Sequence, residues 1–251
     1  MSLFSKVQIQ RAVTSIALEV AAQHKFALAG SGAIREHGLI TRPTDDIDLF
    51  TVASAHNHFD LAAEQIVTRL REAGVEVEVE LQADSYARFS VTAEGEDVLI
   101  ELGVDYRSRE PVTFELGPVL AIEDAVANKL SALYSRAYPR DYLDVDSIRR
   151  NGPFSDAQLL TLAEGVEPNF DRLMFAHQLS LIANTQPNEV AVYGLNADDL
   201  QAVKQRCIQW ARTIKTDAGL DPDKGYNPFL PLIDPTQPGG ASETEPGPGV
   251  N

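Results

Sequence analysis

Phe26-Ala27-Leu28-Ala29-Gly30-Ser31-Gly32, followed at residues 46–48 by Asp46-Ile47-Asp48, decides how the chain is read. Residues 26–29 form a short apolar run and read as a strand. Gly30-Ser31-Gly32 breaks that run, Ala33 to His37 starts a short helix, and Arg42-Pro43-Thr44-Asp45 signals a turn. Ile47, Leu49 and Phe50 then interleave with Asp46 and Asp48, as in a strand that carries carboxylates. Strand residues two apart share a face, so Asp46 and Asp48 project together. Adjacent carboxylates repel unless a cation lies between them. A hard divalent ion takes oxygen ligands and accepts phosphate as a co-ligand. The Gly-Ser turn offers backbone N–H groups to phosphate oxygens, and glycine allows close approach. Alone, an Asp-x-Asp strand is usually a solvated face and a Gly-Ser pair usually a plain turn. Their order and modest separation make the combination specific.

Working outward, residues 7–23 place Val7, Val13, Ile16, Ala17 and Val20 at helical spacing. His58 to Glu72 reads as an amphipathic helix closed by Gly74. Val75 to Leu81 alternates Val and Glu, and Tyr86 to Ala93 and Val98 to Tyr106 are further strands. The intervening Glu94-Gly95-Glu96-Asp97 makes a hairpin. Beyond residue 120 the pattern turns helical: Ile122 to Arg136, Asp141 to Arg150, Ser155 to Glu164, Phe170 to Asn184 and Ala197 to Lys215. Pro235 to Asn251 is rich in Pro, Gly, Ser, Thr and Glu and reads as disordered. The fold class predicted is α+β: a mixed sheet with flanking helices, then a C-terminal helical bundle.

Composition narrows the classes. The 251 residues are 44% hydrophobic, enough for a sizeable core, and carry a formal charge of −16. That charge opposes a whole-surface nucleic-acid binder but permits a local basic groove. Cys207 is the single cysteine, so no internal disulfide forms, and it reads as a buried helix residue. No apolar run spans a bilayer, and the N-terminus lacks a signal-peptide core. A cytoplasmic protein with no membrane partner is expected. His24, His37, His56, His58 and His177 show no zinc-like spacing, and no Gly-x-x-x-x-Gly-Lys loop occurs.

The Gly-Ser turn, short helix and Asp-x-Asp strand resemble the signature of the nucleotidyltransferase superfamily. The interval from Ser31 to Asp46 exceeds that signature's, which a longer helix or turn absorbs. The superfamily has a third acid on a later strand among hydrophobic residues. Glu101 in Ile100-Glu101-Leu102 fits best, with Asp105 in Val104-Asp105-Tyr106 as competitor; alternation places both on one face. A second block, Asp124-Ala125-Val126-Ala127-Asn128-Lys129, then Arg136 and Arg140-Asp141-Tyr142-Leu143-Asp144, is similar to the AbiEii/AbiGii-type nucleotidyltransferase toxins of toxin–antitoxin and phage-defence systems. The resemblance covers roughly residues 25 to 150.

The change of pattern near residue 120 and the composition of the C-terminus divide the chain into 1–120, 121–232 and a disordered tail over 233–251; the resemblance makes the first an α/β nucleotidyltransferase core and the second a helical domain completing the site. The resemblance also implies Mg2+, with Mn2+ as alternative, held by Asp46, Asp48 and Glu101. Gly30, Ser31, Lys129, Asp141 and Arg42 would bind the nucleotide, with Lys129 and Asp144 completing the catalytic set. The implied reaction moves NMP from an NTP to an RNA acceptor, foremost a tRNA 3′ end, under control of a cognate antitoxin. Arg69, Arg71, Arg88, Arg107, Arg109, Arg136, Arg140, Arg149 and Arg150 are available to line an RNA groove. In some members a hydroxyl at the position of Thr44 is phosphorylated, which would repel incoming NTP. The alternatives are a small-molecule or protein acceptor, which the net charge favours for a cationic substrate, and a non-catalytic nucleotide-binding module.

Overall fold

The computed structural model describes residues 5–44 and 46–224. The tail expected over 233–251 lies outside the described residues, as does the end of the helical segment expected to reach 232. The first helix, α1 (Lys6–Ala21), opens on a capping box: the Ser5 hydroxyl accepts from the Gln8 N–H, and the Gln8 side chain accepts from the Ser5 N–H. Its buried stripe, Ile9, Val13 and Ala17, repeats every turn and packs on α3 (Phe59–Glu72).

The strands are β1 (Ala27–Leu28), β2 (Asp46–Thr51), β3 (Glu76–Ala83), β4 (Tyr86–Ala93), β5 (Glu96–Val104), β6 (Val112–Phe114) and β7 (Gly117–Val119). Among the described residues they form one seven-stranded sheet in the order β3-β4-β5-β2-β1-β7-β6. β2 pairs parallel with β5, and β1 with β7; the other pairings are antiparallel. The predicted hairpin between β4 and β5 closes on Glu94 and Gly95 at φ 53° and 77°, the left-handed pair that a type I′ turn requires. Alternation then divides the sheet. Ala87, Phe89 and Val91 of β4, Val98, Ile100 and Leu102 of β5, and Ile47 and Leu49 of β2 are buried on the core face. Burial stabilises the larger of these side chains by about 1.5–3 kcal/mol each. Asp46, Asp48, Arg88 and Glu101, one residue out of phase, are thereby sent to the other face.

Two differences from the sequence reading bear on function. The second helix, α2 (Gly30–Glu36), begins at Gly30 rather than Ala33. Ala29 is still extended, and Gly30 at φ 55° makes the bend by itself. The Gly-Ser pair is thus the first turn of α2, not a turn preceding it. β6 and β7 were not expected; at three residues each they are too short to show alternation.

The remaining helices are α4 (Ile122–Ser135), α5 (Pro139–Asn151), α6 (Asp156–Val166), α7 (Arg172–Ser180), α8 (Pro187–Val190) and α9 (Ala197–Asp217). α4 packs against α2, α5, α6 and α7, and so joins the sheet half to the helical half. One hydrophobic cluster runs through both halves. At its helical end Phe175 meets Trp210 edge to face at 5.3 Å. Cys207 is buried on α9, and burial pushes its thiol up to about 12, which leaves it protonated and inert at neutral pH.

Candidate active site

The open face of the sheet and α4 enclose a cavity of about 730 Å³. Parallel pairing of β2 with β5 sets Asp48 directly beside Glu101. One carboxylate oxygen from each of Asp46, Asp48 and Glu101 lies within 4.8 Å of the others. The Gly30 backbone closes over this group: a Cβ there would fall 1.7 Å from Oδ2 of Asp48. Glycine is needed at position 30 both for its left-handed φ and for this approach. Burial, then the neighbouring Asp46, pushes the Asp48 carboxyl up to about 7. A half-buried, all-oxygen donor set that repels itself fits a hard divalent cation.

The structure separates the two candidates for third acid. β5 ends at Val104, so Asp105 lies past the strand, and its carboxylate accepts from the Asn128 side chain at 2.8 Å. Burial raises the Asp105 carboxyl as well. Glu101 joins the cluster and Asp105 does not. Glu101 is also held from the other side: Tyr86 Oη donates to its Oε1 at 3.0 Å and Arg88 Nε donates at 3.1 Å. The sequence reading missed Tyr86 and the tie from Arg88 to Glu101. Counting back along the hairpin from Glu94-Gly95 pairs Arg88 with Glu101, so the signal was present.

Ser31 connects this cluster to a second, closed one. Its hydroxyl donates to Asp144 Oδ2 at 2.9 Å. Arg42 grips Asp144 with Nε and Nη2, both at 2.6 Å. The Lys129 ammonium lies 3.0 Å from Asp144, 3.3 Å from Asp141 and 3.2 Å from the Ser31 hydroxyl. Arg136 Nε reaches Asp141 at 3.1 Å. Asp141 and Asp144 are wholly buried. Although burial opposes ionisation, Lys129 and Arg42 hold the Asp144 carboxyl below its ordinary value.

The residues expected to contact nucleotide therefore divide. Gly30, Ser31 and Lys129 line the cavity; Arg42, Asp141 and Asp144 do not. Those three form the layer behind Ser31: Asp141 and Asp144 of α5 meet Lys129 of α4, Asp144 also takes the Ser31 hydroxyl of α2, and Arg42 closes on Asp144. Of the arginines offered for an RNA groove, Arg88, Arg136 and Arg140 line the cavity. Arg69 pairs with Glu19, Arg149 with Asp156, and Arg71 donates to the Val77 carbonyl. Thr44 is buried; its hydroxyl donates to Gln10 and accepts from Arg35, so modification there requires local opening. Among the described residues no histidine joins a metal-like cluster, and no helix is long and apolar enough to cross a membrane.

A family model described as "Nucleotidyl transferase AbiEii toxin, Type IV TA system" matches residues 11–227. No curated protein matches the sequence. Among solved structures, JHP933 from Helicobacter pylori is similar at 17% identity and a TM-score of 0.51, covering 87% of this chain and 97% of that one. MenT4, a nucleotidyltransferase toxin from Mycobacterium tuberculosis H37Rv, is similar at 14% identity and a TM-score of 0.56, covering 85% and 86%. At such identities the likeness concerns the fold.

Proposed function

We propose that this chain, which belongs to the AbiEii nucleotidyl transferase toxin family and is therefore a nucleotidyltransferase, transfers NMP from an NTP to an RNA acceptor, a tRNA 3′ end being foremost. The carrying observation is the convergence of Asp46, Asp48 and Glu101 on one point beneath the Gly30 backbone. A divalent cation held by these three, Mg2+ or Mn2+, would offset triphosphate charge and polarise the acceptor hydroxyl. The chain's own residues bind and orient. Gly30 and Ser31 border the acids and face the phosphates. Lys129, fixed by Asp141 and Asp144, sets a positive charge in the same wall. Arg88 and Tyr86 hold Glu101 in the rotamer that meets Asp48. The acceptor oxygen attacks the α-phosphorus, the bond to the β-phosphate breaks, and pyrophosphate leaves. Catalysis by this constellation is positioning and charge stabilisation.

Arg136 and Arg140 at the cavity mouth support a polyanionic acceptor despite the net charge of −16. Membership of a toxin–antitoxin family supports a cognate antitoxin as partner. Incubation with each labelled NTP and, separately, total RNA, total protein or a cationic aminoglycoside tests the assignment. Label is expected in RNA and absent with Asp46→Ala. Label confined to protein or aminoglycoside would replace the acceptor; no transfer under any condition, with toxicity surviving Asp46→Ala, would leave a binding module.

A further inference from the structure

A second cavity of about 680 Å³ adjoins the first, and the two share Asp105 and Tyr106 in their linings. It is bounded on one side by Lys25, Arg107 and Arg109. The Tyr106 ring stands between the cavities at 64% exposure, unusually open for so large an apolar surface. From this juxtaposition we infer that segment 105–110 is the acceptor-strand platform: a single-stranded RNA end stacks a base on Tyr106 and lays its phosphates along Lys25, Arg107 and Arg109. The inference rests on the RNA acceptor proposed above.

Three observations carry it. The segment is irregular, yet it is pinned from α4. The buried Asp124 carboxylate accepts from the Ser108 N–H, the Ser108 hydroxyl at 2.6 Å and the Arg109 N–H at 2.9 Å. One turn later Asn128 fixes Asp105. A platform already ordered spares the ligand the cost of ordering it. The charge is also local. Three cations line this cavity beside the carboxylates of Asp105 and Glu110, in a chain that is strongly acidic elsewhere, and Arg109 also pairs with Glu123 on α4 at 3.4 Å. Arg107 is anchored through the Lys25 carbonyl at 3.1 Å, and Lys25 itself sits at φ 60°, a left-handed bend that joins the two elements. Lastly, an exposed aromatic among cations is the combination that binds single strands without reading sequence, since every base has a stackable face. A duplex hides those faces, so the platform selects an unpaired end.

The test uses the full chain and a labelled single-stranded oligoribonucleotide. In the Asp46→Ala background, which removes transfer, Tyr106→Ala should weaken binding of the oligonucleotide roughly tenfold, whereas Tyr106→Trp should restore it. In the otherwise unaltered protein Tyr106→Ala should raise KM for RNA by a similar factor and shift KM for NTP far less. Lys25→Ala with Arg109→Ala should flatten the salt dependence of binding by about 0.7 per lost phosphate contact. RNA transfer and binding that ignore Tyr106→Ala would overturn the platform alone. An unaltered chain that labels no RNA would overturn the acceptor assignment itself, and the platform with it.

Discussion

Asp46, Asp48 and Glu101 on one side of Ser31, and Asp141 and Asp144 on the other, are both groups of carboxylates packed closely in the same fold. They differ in what neutralises them. Behind Ser31, Arg42, Lys129 and Arg136 supply the counter-charge from within the chain, and the acids are sealed from water. In front of it, Glu101 has Arg88, and Lys129 and Arg136 act on Asp48 as well, but burial and then Asp46 outweigh them and drive its carboxyl upward instead of downward. Acids compensated within the chain hold the scaffold, whereas Asp48 sits in a cavity where burial and Asp46 outweigh its cationic neighbours. The same side-chain chemistry therefore gives a structural joint on one side of Ser31 and a candidate cation site on the other.

Replacing Asp48 by Asn attacks the open group and should lower transfer by about 10⁴-fold, about 5 kcal/mol of barrier. Melting should separate this from misfolding. The unaltered protein is expected to gain several degrees in Tm with Mg2+ or Mn2+ at roughly a hundred times Kd, and Asp48→Asn to lose that gain while melting no lower than the unaltered, metal-free chain. A variant that still gains would place the cation elsewhere.

Asp144→Asn attacks the closed group. Removing the buried charge that Arg42 and Lys129 share, with Lys129 keeping only Asp141, should cost about 3–5 kcal/mol, a fall in Tm of roughly 10 °C. The sign of its pH dependence follows from the depressed carboxyl. The stabilisation is present above the ordinary carboxylate pKa of about 3.8 and is lost as pH falls through the lower folded value. The Tm difference between the two proteins should hold steady from pH 8 to about 5 and shrink in stronger acid. A difference that shrank near neutrality would contradict the ion-pair account.

The smallest effect expected is from Gly30→Ala, which touches only the contact with Asp48. A methyl group cannot occupy a point 1.7 Å from Oδ2, so the acid or the turn must move. About 2 kcal/mol of destabilisation is expected from overpacking and the left-handed φ, with transfer reduced more than stability explains. An Ala variant with full transfer would show the approach to be incidental.

The sequence made some of this readable and concealed the rest for physical reasons. Alternation in β2, β4 and β5 gave the faces, and the Gly-Ser break with Asp-x-Asp gave the open cluster. Glu101 and Asp105 were inseparable, because strand periodicity says which face a residue shares and not where pairing stops; the end of β5 at Val104 and the register with Asp48 decide it. Likewise Asp141 and Asp144 share a helix face by their spacing, but only the docking of α5 on α2 and α4 shows that the face looks inward. The tie from Asp124 to segment 105–110 joins two parts of the chain that no local periodicity connects.

The bond from Ser31 to Asp144 spans 113 positions of sequence. Arg42 and Lys129, which precede α5 in the chain, close on an acid that only α5 supplies. The bend that overlies Asp48 thus depends on a segment far downstream, and the sheet half and the helical half are coupled in folding through this buried bond.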